Sequence, residues 1–286
     1  MLRHSGHYAA MRGEFVDLAG RRLYYYAAGS RGAGEPVVFV HGFPSSSYLW
    51  HAVVRELPEG HRVVVLDQLG FGRSDRPDGG ALTVAAHAER LRGLLDELRI
   101  DAACIVGHGM GGAVAQAIAV DCPARVTRLG LINSVAFDAW PNRAAWLARQ
   151  CAALPPLARS LGAPLLAGLV HGSLIAGFAD AESGRHALDH YLRAFTSRLG
   201  VDALASQLRA MRDPGVDALG TRLGSLALPT AIVWGQQDPY LPVSVGERLR
   251  DTIAGATLNV IPNASHFSPE DTPERVAAAI AVLLRR

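Results

Sequence analysis

The chain predicts an α/β protein: a doubly wound, mostly parallel sheet with a helical cap inserted between two of its strands. Three observations carry that prediction. Apolar, β-branched runs alternate with helix-period runs along most of the length, the pattern of a parallel sheet covered on both faces. The stretch Cys104-Ile105-Val106-Gly107-His108-Gly109-Met110-Gly111-Gly112 reads as strand, sharp glycine-rich elbow and helix start. Residues 134–221 then contain no strand-like run before the strand pattern resumes.

The opening runs Glu14 to Ala19 and Arg21 to Ala27 flank Ala19-Gly20 and predict a hairpin. Pro36-Val37-Val38-Phe39-Val40 is a strand buried on both faces, ending in His41-Gly42-Phe43-Pro44. Ser45, Ser46 and Ser47 are good N-caps, so a helix is expected to start among them. Arg62 to Leu66 is the next strand, closed by Asp67 and the turn Leu69-Gly70-Phe71-Gly72-Arg73-Ser74-Asp75. Leu82 to Leu98 carries apolar residues at helix spacing, with His87 among them. After the elbow comes a strand at Arg128 to Asn133.

From Ser134 to Thr221 helical stretches are broken by Pro141, Pro155, Pro156, Pro164 and Gly172. A helical insertion between sheet strands reads as a cap over the strand ends, where open α/β sheets place their sites. Two further strands are expected at Pro229 to Trp234 and Thr257 to Ile261, and a last helix at Pro273 to Leu284 with Thr272 as its N-cap. The domain reading is therefore a core of 1–133 and 222–286 with a cap of 134–221.

Bulk properties narrow the function classes. A chain of 286 residues, 49% hydrophobic, has enough apolar material for one large domain. With 28 basic against 26 acidic residues and no basic cluster, no nucleic-acid partner is expected. No apolar run reaches the length of a membrane span, and Met1 to Ala10 lacks the apolar core of a signal peptide. Cys104, Cys122 and Cys151 follow no metal or disulfide spacing, which fits a reducing cytoplasm. No ligand motif for a metal and no dinucleotide or P-loop setting is present, so no cofactor is expected. The expected partner is a small-molecule substrate, and no sequence feature sets an oligomeric state.

Three stretches hold residues suited to chemistry: the elbow, Trp234-Gly235-Gln236-Gln237-Asp238-Pro239, and Ile261-Pro262-Asn263-Ala264-Ser265-His266-Phe267. Together with His41-Gly42-Phe43-Pro44-Ser45-Ser46-Ser47-Tyr48-Leu49-Trp50 and Asp67 to Pro77, they resemble the α/β-hydrolase family. Within it they are similar to the epoxide hydrolase and haloalkane dehalogenase branch. The elbow then corresponds to G-x-nucleophile-x-G, and nucleophile, acid and histidine occur in the order of this fold. The resemblance implies His266 as the base, Asp238 as the carboxylate that sets its tautomer, and the N–H groups of Phe43 and Met110 as an oxyanion hole.

The departures are as informative. The dehalogenases and epoxide hydrolases carry Asp at the elbow, and Ser-type esterases and C–C hydrolases carry Ser; here Gly109 stands there, followed by Met110. Phe43 and Met110 also replace the Asn and Trp that hold a departing halide in the dehalogenases. Epoxide hydrolases protonate the opening ring with cap tyrosines, for which Tyr191 is the nearest candidate; Trp140 is a second candidate substrate contact. Gly109 leaves three readings open. A Ser- or Asp-type hydrolase has lost its nucleophile by substitution; or the pair acts on water or a substrate proton without a covalent intermediate; or the chain binds a small molecule without chemistry. His41 is expected to brace the oxyanion loop and His108 to be structural. Ser134 and Asp138 stand in reserve, since some relatives place their acid at the start of the cap.

Overall fold

A computed structural model describes residues 12–29, 34–76, 82–139, 170–195, 204, 206, 207 and 215–286. Trp140, Trp146 and the prolines from Pro141 to Pro164 lie outside the described residues. The strands are β1 (Arg12–Asp17), β2 (Arg22–Ala28), β3 (Val37–Val40), β4 (Val63–Leu66), β5 (Ala103–Gly109), β6 (Val126–Ser134), β7 (Thr230–Gly235) and β8 (Thr257–Ile261). They form one sheet in the order β1-β2-β4-β3-β5-β6-β7-β8. The β1–β2 hairpin is antiparallel and joins the edge of β4 antiparallel, while every pair from β4 to β8 is parallel.

Side-chain alternation divides the strands between two cores. Val38, Val40, Val64, Leu66, Ile105, Leu131 and Trp234 enter one core. It is covered by α2 (Val84–Glu97), α3 (Met110–Asp121), α5 (Gly215–Gly220) and α6 (Val243–Thr252). Val37, Phe39, Val63, Val65, Cys104, Val106 and Val233 enter the other, against α1 (His51–Glu56) and α8 (Pro273–Leu283). Both faces of the central strands are buried, which is why they read as unbroken apolar runs.

Between β6 and β7 the regular elements among the described residues are all helical, the longest being α4 (Ala181–Leu192). Ala187, Leu188 and Tyr191 of α4 join the second core. This segment also touches the loops after β7 and β8. Phe267 N–H donates to Gly177 O at 2.9 Å, and Tyr240 Oη donates to Ser173 O at 2.7 Å.

Two local expectations meet different outcomes. Ser46 accepts from Tyr48 N at 3.3 Å and caps a short 3₁₀ turn, Ser47–Trp50, that runs into α1. Thr272 precedes α8 as expected but does not cap it: its hydroxyl donates to Ser268 O at 3.3 Å. The short helix α7 (Ser268–Asp271) ends immediately before it and takes up that hydroxyl.

Candidate active site

The chain runs from β3 to β4 on one side of β3 and then crosses to β5 on the other. This reversal opens a crevice beyond the carboxyl ends of β3 and β5, the position where open α/β sheets take ligands. His41 to Pro44 leave β3 there, and the elbow leaves β5. Gly109 has φ 55° and ψ −123° and is followed directly by α3, a turn that glycine makes without strain.

The elbow glycines are not equivalent. A Cβ at Gly107 would lie 2.2 Å from Gly111 O, one at Gly111 2.3 Å from His41 O, and one at Gly112 2.0 Å from Ser134 Oγ. Each of those positions is closed by strand–helix packing. At Gly109 the nearest atoms to a Cβ are Gly42 Cα at 3.6 Å and His266 Nε2 at 3.7 Å, ordinary contact distances. Position 109 therefore has room for a side chain facing His266, at the cost of a strained positive-φ backbone.

His266 lies in the loop after β8, and its Nδ1 is 2.8 Å from Asp238 Oδ2. A carboxylate only accepts, so Nδ1 carries the proton of this bond and Nε2 is the ring nitrogen that faces position 109. Asp238, in the loop after β7, has a fully buried side chain. Its Oδ1 accepts from Tyr240 N at 2.8 Å and Leu241 N at 3.0 Å, and its Oδ2 also accepts from Asn133 Nδ2 at 2.7 Å. Burial pushes the carboxyl upward, but His266 and these donors outweigh it and hold Asp238 below the usual carboxylate range.

Both neighbouring histidines bond to backbone groups of the site loops. His108 is buried, and its Nε2–H donates to His266 O at 2.9 Å, fixing the loop that carries His266. Burial, reinforced by His266, pushes its pKa down to about 3, so it is neutral. His41 Nε2 accepts from Gln68 N at 3.0 Å, which leaves Nδ1–H to donate to Gly42 O at 2.9 Å. Gln68 Nε2 in turn donates to His41 O at 2.6 Å, so the loop after β3 is braced from both sides.

Met110 opens α3, so its N–H has no carbonyl one turn back. Phe43 and Met110 together border a mainly apolar recess of about 20 Å³ with Gln68, Phe71, Leu82 and His87, room for about one water. Tyr191 is elsewhere. It is buried against Phe267, and its hydroxyl donates to Glu270 Oε1 at 2.5 Å, so it is not among the residues bordering that recess. Burial, partly opposed by this bond, pushes Glu270 up to about 7. Ser134 accepts from Gln116 Nε2 in the core, and Asp138 is an exposed partner of Arg248. Among the described residues, no three His, Cys, Asp or Glu side chains gather as metal ligands.

A family model described as the alpha/beta hydrolase family matches residues 37–279. The chain belongs to the α/β-hydrolase family. Among its relatives, haloalkane dehalogenase 2 of Mycobacterium tuberculosis is 30% identical over 279 residues, covering 93% of this chain and 92% of that protein. The crystal structure of an alpha/beta hydrolase fold protein from Burkholderia ambifaria matches with a TM-score of 0.83 at 29% identity, covering 94% and 99% of the two chains. The enol-lactonase of Burkholderia xenovorans LB400 matches with a TM-score of 0.80 at 25% identity, covering 96% of this chain and all of its own. These relatives include hydrolases of different bonds. No described helix is long and apolar enough to cross a membrane.

Asn133 and Ser268, which bond to each other beside the His266–Asp238 pair, lie in no motif, and Gln68, which braces the loop after β3, lies in the run Asp67 to Pro77 without having been singled out. Each is recruited by a contact that forms only on folding.

Proposed function

We propose that this α/β-hydrolase-family protein is a cofactor-independent enzyme that acts on a small, largely apolar organic substrate. His266 is the base, Asp238 sets its tautomer and stabilises the imidazolium, and the N–H groups of Phe43 and Met110 receive negative charge developing on the substrate. The segment 134–221 serves as the cap, supported by its contacts to the loops that carry Asp238 and His266. One observation carries the reading: His266 Nε2 faces a position only 3.7 Å away that flanking packing leaves open, while Nδ1 is locked on a buried carboxylate.

With glycine at 109 there is no side chain to form a covalent intermediate. His266 then deprotonates a water, which adds to an electrophilic carbon of the substrate. Alternatively it takes a substrate C–H or O–H proton directly, and the resulting anion rests on the two amides. Such chemistry needs no nucleophile from the chain, and a serine hydrolase lacking one triad member still retains about 10³–10⁴-fold catalysis over water. Halide release is the least supported reaction, since Phe43 and Met110 offer no side-chain donor to a halide.

A second reading is favoured by the space at Gly109: a hydrolase whose Ser or Asp nucleophile has been replaced. The two are separated by assaying the native chain, Gly109→Ser, Gly109→Asp and His266→Ala on short aryl esters, lactones, epoxides and haloalkanes. Turnover by the native chain that disappears in His266→Ala and does not rise in either Gly109 variant supports direct acid–base chemistry. An inert native chain with a burst in one variant supports the lost nucleophile. Native turnover that survives His266→Ala contradicts both.

A further inference from the structure

We propose that Asn133 is a positioning residue for the His266–Asp238 pair: one buried amide that holds Asp238 against His266 and ties both loops to the end of β6. The inference rests on the proposed role of that pair. Along β5 and β6, His108 pairs with Ile132 and Gly109 with Ser134, so Asn133 is the extra residue of a bulge at the elbow. A bulge beside a site turns a side chain in a new direction. Here the turn is made at φ 40°, a left-handed conformation that asparagine tolerates better than most residues.

The side chain is fully buried and both ends of its amide are used. Asn133 Oδ1 accepts from Gly235 N at 3.1 Å and from Ser268 Oγ at 2.8 Å. A backbone N–H only donates, so the oxygen must face Gly235 and Nδ2 must face Asp238. That Nδ2–H reaches Asp238 Oδ2, the oxygen that also accepts from His266 Nδ1. Gly235 ends β7, three residues before Asp238, and Ser268 follows His266 by two residues. One amide therefore holds the acid's working oxygen, the strand that delivers the acid, and the helix that follows the histidine. Without it, that oxygen of Asp238 keeps only His266 as a partner, and the carboxylate is oriented only through the Tyr240 and Leu241 N–H groups on its other oxygen.

The test is the tautomer of His266, read by long-range ¹H–¹⁵N NMR of histidine side chains, with His266→Gln to assign the signal. Asn133→Gly removes the amide while accepting the left-handed backbone. The expected result is a change from a single Nδ1–H tautomer to a mixture of both, together with loss of the low-field proton shared with Asp238. Where the native chain turns substrate over, its kcat is expected to fall, by less than the roughly 10⁴-fold that follows loss of the orienting carboxylate in a Ser-His-Asp triad. A purely structural role would lower the unfolding midpoint and leave the tautomer unchanged, and that result in a folded Asn133→Gly overturns the proposal. Should Asn133→Gly not fold, Ser268→Ala decides, because it leaves Asn133 in place with one anchor fewer. A partial shift in the same direction supports the role, and an unchanged tautomer overturns it. If the tautomer depends on Asn133 but no turnover depends on His266, the positioning role stands and the catalytic reading of the pair fails.

Discussion

Gly107 and Gly109 are two residues apart on the same elbow, yet a methyl group would meet opposite surroundings at the two positions. At Gly107 it would strike the carbonyl of Gly111 at 2.2 Å, where strand and helix are already in contact. At Gly109 it would meet only contacts of 3.6 Å and longer, and the cost is that of a left-handed backbone alone. Gly109→Ala is therefore expected to lose about 1–2 kcal/mol of stability, and Gly107→Ala about 3 kcal/mol or more. Urea unfolding of the two variants beside the native chain measures both. Equal losses would mean that position 109 is a packing glycine rather than an open slot.

Among the elements, the contact between α4 and α7 carries a titratable group of its own. Tyr191 on α4 donates to Glu270 on α7, and Glu270 is also 3.9 Å from His51 of α1. Burial raises the Glu270 pKa from 4.5 to about 7, so the folded chain keeps this proton while the unfolded chain releases it. Folding is favoured by that proton below pH 4.5, and the contribution is lost as pH rises to about 7. Glu270→Gln retains an acceptor for Tyr191 and removes the ionisation. It is expected to be more stable than the native chain above pH 7, by on the order of 3 kcal/mol at most, with the difference vanishing below pH 4.5. Urea unfolding at pH 4.5 and pH 8 checks this, and a gain that is the same at both would refute it.

At the scale of the whole molecule, the sheet was legible because its central strands are buried on both faces. Val37–Val40 and Val63–Leu66 have no polar residue to interrupt them, and the elbow has a spacing that only a strand turning back into a helix requires. Asp238 follows β7, buried along its length, and His266 follows β8, a half-exposed edge strand, and both were legible because they stand after strands in the chain order of the family they resemble. The remainder of the site is not local. Asn133 reaches Asp238 across 105 residues through a bulge that leaves no mark in a run of apolar residues. Tyr191, the nearest candidate for the cap tyrosine of the epoxide hydrolases the chain resembles, donates to Glu270 from 79 residues away, a contact that no local pattern shows. Thr272 has the right type and place for a cap, yet a preceding helical turn claims its hydroxyl.

Catalysis at this site requires position 109 to lie where His266 and the two backbone amides can serve a reacting atom. Intact-mass spectrometry after treatment with an alkyl fluorophosphonate tests this most directly, because the adduct forms only on a hydroxyl activated by a base. Gly109→Ser is expected to take up one phosphonyl group, mapped to residue 109. The native chain should take up none, and Gly109→Ser combined with His266→Ala should be slowed by orders of magnitude. A folded Gly109→Ser that stays unmodified, or is modified equally without His266, would contradict the account.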